Sequence, residues 1–253
     1  MISILIPVYN RNVVSLVTSL QSQLIAVKEK GEIVVMDDGS SDQLIKNSNK
    51  INLSSLEFVR YIELPINTGR NIIRHNLAKA ANYDTLIFLD ADSSFPNQKW
   101  LQNYLAVISG NAIIMGGRIY KTEKPASSTL HFRYGKHREE NDVYGRNRFP
   151  YRSFLACNFL ITKKQFSLLI IDNHLRGYCH EDTFMGLQFE KLGMVVKHIN
   201  NPVYHQGIDE DNVFMEKQQE ALENLQYLYH SYYNSYNFNG GIKLIRVYRD
   251  ITG

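Results

Sequence analysis

Ile2-Ser3-Ile4-Leu5-Ile6-Pro7-Val8 is an apolar, β-rich run that ends in the polar residues Tyr9 and Asn10. Its nearly unbroken apolarity fits a strand covered on both faces, as in a parallel sheet, rather than a strand with one wet face. The arrangement recurs along the chain. Residues 32–36 form a second apolar strand that stops at Asp37-Asp38-Gly39-Ser40-Ser41-Asp42, and Thr85–Leu89 runs into Asp90-Ala91-Asp92. Residues 57–64 read as a further strand, and residues 13–28 and 69–82 as helices. Strands alternating with helices predict a doubly wound α/β sheet flanked by helices.

The polar clusters all follow strands. In open parallel sheets ligands bind outside the carboxyl ends of the strands, so these loops are expected to form one site. The chain contains neither GxGxxG nor GxxxxGK[ST], which argues against a dinucleotide fingerprint or a P-loop.

The second half is less regular. Residues 112–120 and 154–162 are expected to be strands, and residues 194–198 and Val203–His205 short β segments. Residues 121–151, polar and rich in charge and aromatics, predict a long loop or an acceptor-facing insertion. Residues 182–192 and 213–233 have helical spacing, the latter through Phe214, Leu222, Leu225 and Leu228. Tyr227, Tyr229, Tyr232, Tyr233 and Tyr236 follow, then Lys243, Arg246 and Arg249. That tail reads as a packed helix with a basic end, or as a membrane-surface contact.

The 253 residues are 44% hydrophobic, enough for a substantial core. A net charge of +3 does not indicate a nucleic-acid-binding surface, although residues 133–152 are locally basic. Cys157 and Cys179 lack metal-site spacing and are expected to be free thiols in a reducing compartment. The short apolar run ending at Pro7, with no basic residue before it, is not expected to be a signal peptide, and no stretch reaches the ~20 apolar residues of a membrane helix. The expectation is a cytoplasmic protein, with contact at the inner face of the membrane left open.

Two carboxylates one residue apart, Asp90 and Asp92, can converge on one divalent cation. Hard oxygen ligands suit Mg²⁺ or Mn²⁺, which neutralises a diphosphate. An isolated Asp-X-Asp is more often a solvated strand end; the buried strand before it and the companion loops favour function here. Asp37-Asp38-Gly39 is an ordinary turn composition, but a carboxylate there can also accept from a base N–H or ribose hydroxyls.

The ordered strings ISILIPVYN, VVMDDGSSD and NTGRNIIRHNLAKAANYDTLIFLDADS resemble the family 2 glycosyltransferases of GT-A fold. The resemblance implies a catalytic unit over residues 1–207, with a nucleotide half (1–110), an acceptor half (111–207) and a helical extension over 208–253. It implies that Pro7, Tyr9, Asn10 and Asp38 line the nucleobase pocket, with Asp37 in support. Asp90 would face ribose and metal, and Asp92 would ligate the metal. Gly69 and Arg74 lie where the family has residues near the nucleotide, although Arg74-His75-Asn76 displaces the usual asparagine by one place.

Gly177-Tyr178-Cys179-His180-Glu181-Asp182 resembles the family's acidic motif under the acceptor. Asp182 matches the general base that takes the acceptor proton, and Glu181 orients it or contacts the acceptor. The same acids could simply complement a helix dipole. His205, in Val203-Tyr204-His205-Gln206-Gly207, is a candidate third metal ligand. Asn158, Tyr134, Tyr144 and Phe149 are weaker candidates for sugar contacts.

The implied reaction is inverting transfer from a nucleoside-diphosphate sugar, UDP by family frequency, to a glycan or lipid-linked acceptor. The rivals are a nucleotide-sugar-forming nucleotidyltransferase, whose Gly-rich basic loop Pro7–Asn10 does not match, and a non-catalytic nucleotide-sugar-binding subunit.

Overall fold

The computed structural model describes residues 1–108, 111–123, 129–175, 177–178, 180–232 and 235–236. In chain order the strands are β1 (Ile2–Val8), β2 (Gly31–Asp37), β3 (Val59–Glu63), β4 (Thr85–Leu89), β5 (Ser93–Ser94), β6 (Ile113–Met115), β7 (Arg118–Ile119), β8 (Asn158–Thr162), β9 (Val196–His198) and β10 (Val203–His205). The helices are α1 (Val14–Val27), α2 (Gln43–Leu53), α3 (Arg70–Ala80), α4 (Trp100–Leu105), α5 (Thr129–Arg138), α6 (Val143–Arg148), α7 (Lys163–Phe166), α8 (Glu181–Lys191) and α9 (Asp211–Tyr232).

Seven strands form one mixed sheet in the order β3-β2-β1-β4-β8-β6-β9. β3, β2, β1 and β4 are parallel, whereas β8 runs antiparallel between β4 and β6. The unbroken apolarity of β1 has a direct cause. Leu5 packs on one face with Met36, Phe88 and the α3 residues Ile73 and Leu77. Ile4 and Ile6 pack on the other with Leu20 of α1 and Trp100 and Tyr104 of α4. Each such fully buried side chain contributes about 1.5–3 kcal/mol relative to exposure.

Two sequence expectations change, and one helix was not foreseen. Residues 112–120 are not one strand: the chain turns at Gly116-Gly117, so that β6 joins the large sheet and β7 joins a small sheet of order β5-β10-β7. Residues 121–151, expected to be a loop, carry α5 and α6. Asp142 caps α6 by accepting from the Gly145 N–H, and Tyr120 packs edge-on against Phe132. The short-range pattern of α5 is too polar to announce a helix; its burial comes from α9 and from Tyr120. The helix α2 was likewise not visible, because only Asn49 and Leu53 of it are buried and its start rests on the Asp42 cap.

The C-terminal helix α9 packs Leu225 and Leu228 on Leu175, Phe184 and Leu187, while Leu222 is exposed despite its spacing. Cys157 is a buried free thiol. Cys179, Tyr233, Lys243, Arg246 and Arg249 lie outside the described residues. Among the described residues no helix is long and apolar enough to cross a membrane.

Candidate active site

The ends of β1, β2 and β4 meet at a cavity of about 480 Å³. The β1 loop is tied to the β2 loop: the Asn10 backbone N–H donates to Ser40 Oγ (2.8 Å), and Asn10 Oδ1 accepts from the Asp42 N–H (2.9 Å). Asp37 is fully buried and structural, accepting from the Ser40 N–H and the Tyr61 hydroxyl. Gly39 sits at φ +69°, and a Cβ there would meet the backbone of Ile66 and Asn67, so the turn excludes any side chain. Pro7, Tyr9, Asn10, Asp38, Gly69, Arg74, Asp90, Asp92 and His205 all line the cavity.

Asp38 accepts three hydrogen bonds, from the Thr68 N–H (2.8 Å), the Thr68 hydroxyl (2.6 Å) and the Gly69 N–H (2.9 Å). Its carboxylate therefore braces the loop that leads into α3.

Asp90 faces two arginines. Arg74 Nη2 donates to one oxygen (2.9 Å) and Arg118 Nη2 to the other (3.3 Å). Arg74, almost wholly buried, also lies 3.5 Å from Glu181, and Arg118 donates to Glu139 (3.0 Å). The paired acids therefore have different surroundings: Asp90 is engaged on both oxygens, whereas Asp92 is not. Asp92 Oδ2 lies 3.4 Å from His205 Nδ1. The buried atoms Asp92 Oδ1 and His205 Nδ1 have no hydrogen-bond partner. Burial disfavours the Asp92 carboxylate, but His205 and Arg118 outweigh it and hold its pKa far down. Gly207 lies against this carboxylate, leaving no room for a Cβ. Two orphaned donors to a metal, one oxygen and one imidazole nitrogen, fit a Mn²⁺ or Mg²⁺ ion whose remaining positions are taken by diphosphate and water. No three His, Cys, Asp or Glu among the described residues converge on one point.

Glu181 and Asp182 open α8, directly after His180, which adopts a left-handed φ of +70°. Neither lines the cavity wall. Glu181 stands behind it, against Arg70 (3.9 Å) and Arg74. Burial raises the Glu181 pKa, but these two arginines overcome it and the net shift is downward. Asp182 differs. Burial and the neighbouring Glu181 charge push its pKa up to about 7, against one hydrogen bond from the Thr183 N–H (2.7 Å). Two adjacent carboxyls are thus driven in opposite directions, Glu181 held ionised by the arginines and Asp182 raised by burial beside it.

Asn158 is not a sugar ligand. It is fully buried, with Oδ1 accepting from Trp100 and Tyr104 and Nδ2 donating to the Gly117 and Asn201 carbonyls. Tyr134, Tyr144 and Phe149 do not line the cavity, and His75 packs on Phe166. Tyr134 instead lines an open groove of about 720 Å³ between α5 and α9. That groove contains no strand end and none of the acidic residues, so the chemistry is assigned to the smaller cavity.

Sequence reasoning missed Arg11, Asn67, Arg70, Arg118, His131, Asp209 and Lys217, all of which line the cavity. Arg11 follows the β1 loop directly and was findable by the strand-end rule. Arg118 and His131 were not, since the split of β6 from β7 and the helical nature of α5 bring them in.

A parallel-stranded half-sheet with acidic loops at its strand ends, extended by antiparallel β8, is the arrangement expected of a GT-A fold. The model of glycosyl transferase family 2 matches residues 3–167, and the chain belongs to that family. Glucosyl-3-phosphoglycerate synthase from Mycobacterium tuberculosis, solved with Mn²⁺, UDP and glucosyl-3-phosphoglycerate, is similar in structure: TM-score 0.58, 17% identity, 89% of this chain and 78% of that one. S. aureus TarS 1-349 aligns at TM-score 0.56 and 18% identity over 90% and 72%. The mannosyltransferase PcManGT from Pyrobaculum calidifontis, solved with GDP-Man and Mn²⁺, aligns at 0.53 and 13% over 87% and 61%. At these identities the likeness concerns the fold. No curated protein matches the sequence.

Proposed function

We propose that the chain transfers a sugar, with inversion, from a nucleoside-diphosphate sugar to a hydroxyl of a glycan or lipid-linked acceptor. The observation that carries this reading is the orphaned Asp92–His205 pair at the end of β4, inside a cavity lined by the β1 and β2 loops. Solved neighbours that hold UDP or GDP-Man with Mn²⁺ support the donor class, and UDP is the nucleotide proposed.

Asp92 and His205 would hold Mn²⁺ or Mg²⁺, which when bound supplies positive charge to the departing diphosphate. Pro7, Tyr9, Asn10 and Asp38 would bind the nucleoside, with Asp38 acting through the Thr68-Gly69 loop as well as on the base. Asp90 holds Arg74 and Arg118 at the cavity wall, within reach of the ribose side or of the metal. Asp182 takes the acceptor proton, which a carboxyl titrating near 7 does well at neutral pH. Glu181 keeps Arg70 and Arg74 in place and raises Asp182. Residues 1–207 are taken as the catalytic unit, with nucleotide and acceptor halves at 1–110 and 111–207. Residues 208–253 are an extension that lends Asp209 and Lys217 to the cavity. A lipid-linked acceptor would place the protein at the inner face of the membrane.

The test is a screen of nucleotide sugars for Mn²⁺-dependent release of nucleoside diphosphate. Release from at least one donor, lost in Asp92→Ala, is the expected result. Absence of release and of nucleoside-diphosphate binding across the screen would sink the reading.

A further inference from the structure

His131 lies on α5, buried, with its ring forming part of the cavity wall beside His205 (centroids 5.6 Å apart) and stacked on Phe214 (4.7 Å, 16° between planes). Its Nδ1 accepts from the Asp209 backbone N–H at 2.9 Å. The Asp209 carboxylate is farther from that nitrogen, at 3.4 Å, and is occupied on both oxygens by Lys217 Nζ (2.7 and 2.8 Å). The shorter contact decides the tautomer, because a backbone N–H needs a lone pair and a protonated Nδ1 would set hydrogen against hydrogen. The ring proton of the neutral imidazole therefore sits on Nε2.

This separates the two histidines by chemistry. A metal ligand needs a nitrogen free of protein partners, and His205 Nδ1 is such an atom, without a hydrogen-bond partner beside Asp92. His131 has spent its lone pair on Asp209 and keeps a donor. A fixed N–H on a cavity-lining ring 5.6 Å from the His205 ring suits the acceptor-only oxygens of a diphosphate.

We propose that His131 is a diphosphate-binding residue that donates through Nε2–H to the terminal phosphate held at the Asp92–His205 pair. The assignment rests on the nucleotide-sugar reading of the cavity and extends it to α5, so that the acceptor half of the chain completes the donor site. Asp209 and Lys217 act as positioning residues: Lys217 fixes the Asp209 carboxylate, and the Asp209 N–H fixes the tautomer.

The test compares His131→Phe and His131→Gln with wild type by calorimetry, using UDP, UMP and Mn²⁺ as separate probes. Phe keeps a ring to stack on Phe214 and removes the donor; Gln restores an N–H at a similar reach. UDP affinity in Mn²⁺ should fall about tenfold or more in His131→Phe, the scale of a hydrogen bond to a charged group. UMP affinity should be unchanged, and His131→Gln should recover part of the loss. Equal loss of UDP and UMP, or no loss of either, overturns the proposal, as does weakened Mn²⁺ binding without nucleotide. If wild type binds neither nucleotide, the donor reading itself fails, an outcome distinct from a selective effect at His131.

Discussion

Asp92 Oδ2 and His205 Nδ1 face each other across 3.4 Å, just after β4 and on β10, although they lie 113 positions apart in the chain. The contact exists because β10 pairs antiparallel with β5, Ser93 opposite His205, immediately after Asp92. Buried Asp92 Oδ1 and His205 Nδ1 are otherwise unpartnered. An Asp92→Asn or His205→Ala variant should therefore lose Mn²⁺ affinity by more than about tenfold, the low end of the loss for even an outer-shell partner. Asp92→Ala should abolish transfer. Titration of Mn²⁺ in the presence of UDP checks both; unchanged affinity in either variant removes that residue from the metal site.

Gly207 sits against the Asp92 carboxylate with no room for a Cβ. Gly207→Ala should displace that carboxylate without altering charge. The expected signature is weakened Mn²⁺-dependent UDP binding with a thermal midpoint within a few degrees of wild type. Retention of full Mn²⁺ affinity would mean that the carboxylate has freedom the packing denies it.

Asp182 is expected to set the pH dependence. Its folded pKa of about 7 lies above the ordinary aspartate value near 3.9. A raised pKa works in one direction: the stability carried by the bound proton is full below about pH 4 and is lost as pH rises through about 7. Asp182→Asn should flatten that loss, gaining on wild type in denaturant midpoint between pH 5 and 8. Its turnover should fall by about 10²–10⁴ while donor binding survives. In wild type, kcat/KM should rise with pH through about 7 as the base ionises. Near-normal turnover in Asp182→Asn with an inactive Glu181→Gln would move the base to Glu181.

Arg74 is nearly buried and stands between Asp90 and Glu181. Replacing it by methionine keeps much of the volume but leaves Asp90 to Arg118 alone and Glu181 to the more distant Arg70 alone. Removal of one partner from a buried ion pair costs about 3–5 kcal/mol, and Arg74→Met should approach that range. Urea denaturation measures it; a loss below about 1 kcal/mol would show that water already solvates the pair.

Asp38 braces Thr68 and Gly69, so Asp38→Ala should weaken nucleoside-diphosphate binding by about 1–3 kcal/mol. Thr68→Val removes only the 2.6 Å hydroxyl bond. Equal losses in both variants would assign Asp38 to the loop; a larger loss in Asp38→Ala assigns part of the effect to the nucleotide. Calorimetry with UDP separates the two outcomes.

The α/β half of the molecule was legible because its cause is local. Ile2–Val8, Gly31–Asp37 and Thr85–Leu89 are apolar along their length since α1, α3 and α4 cover both faces, and strand-end loops are where such sheets bind ligands. Asp38, Asp90 and Asp92 could accordingly be picked out from residue order alone, whereas the Glu181-Asp182 pair was implied only by the family resemblance. Their division of labour could not. That Asp90 holds Arg74 and Arg118 while Asp92 keeps an orphaned oxygen depends on β7, which leaves the main sheet at Gly116-Gly117. That Asp182 rather than Glu181 titrates near 7 depends on two arginines brought from α3. The polar stretch over 121–151 has no strong period, and Thr129–Arg138 within it packs against Tyr120 and α9, which carries His131 to the cavity. Periodicity reports which face of an element is dry; charge pairing and tautomer are set by neighbours distant in sequence, and only the folded chain chooses them.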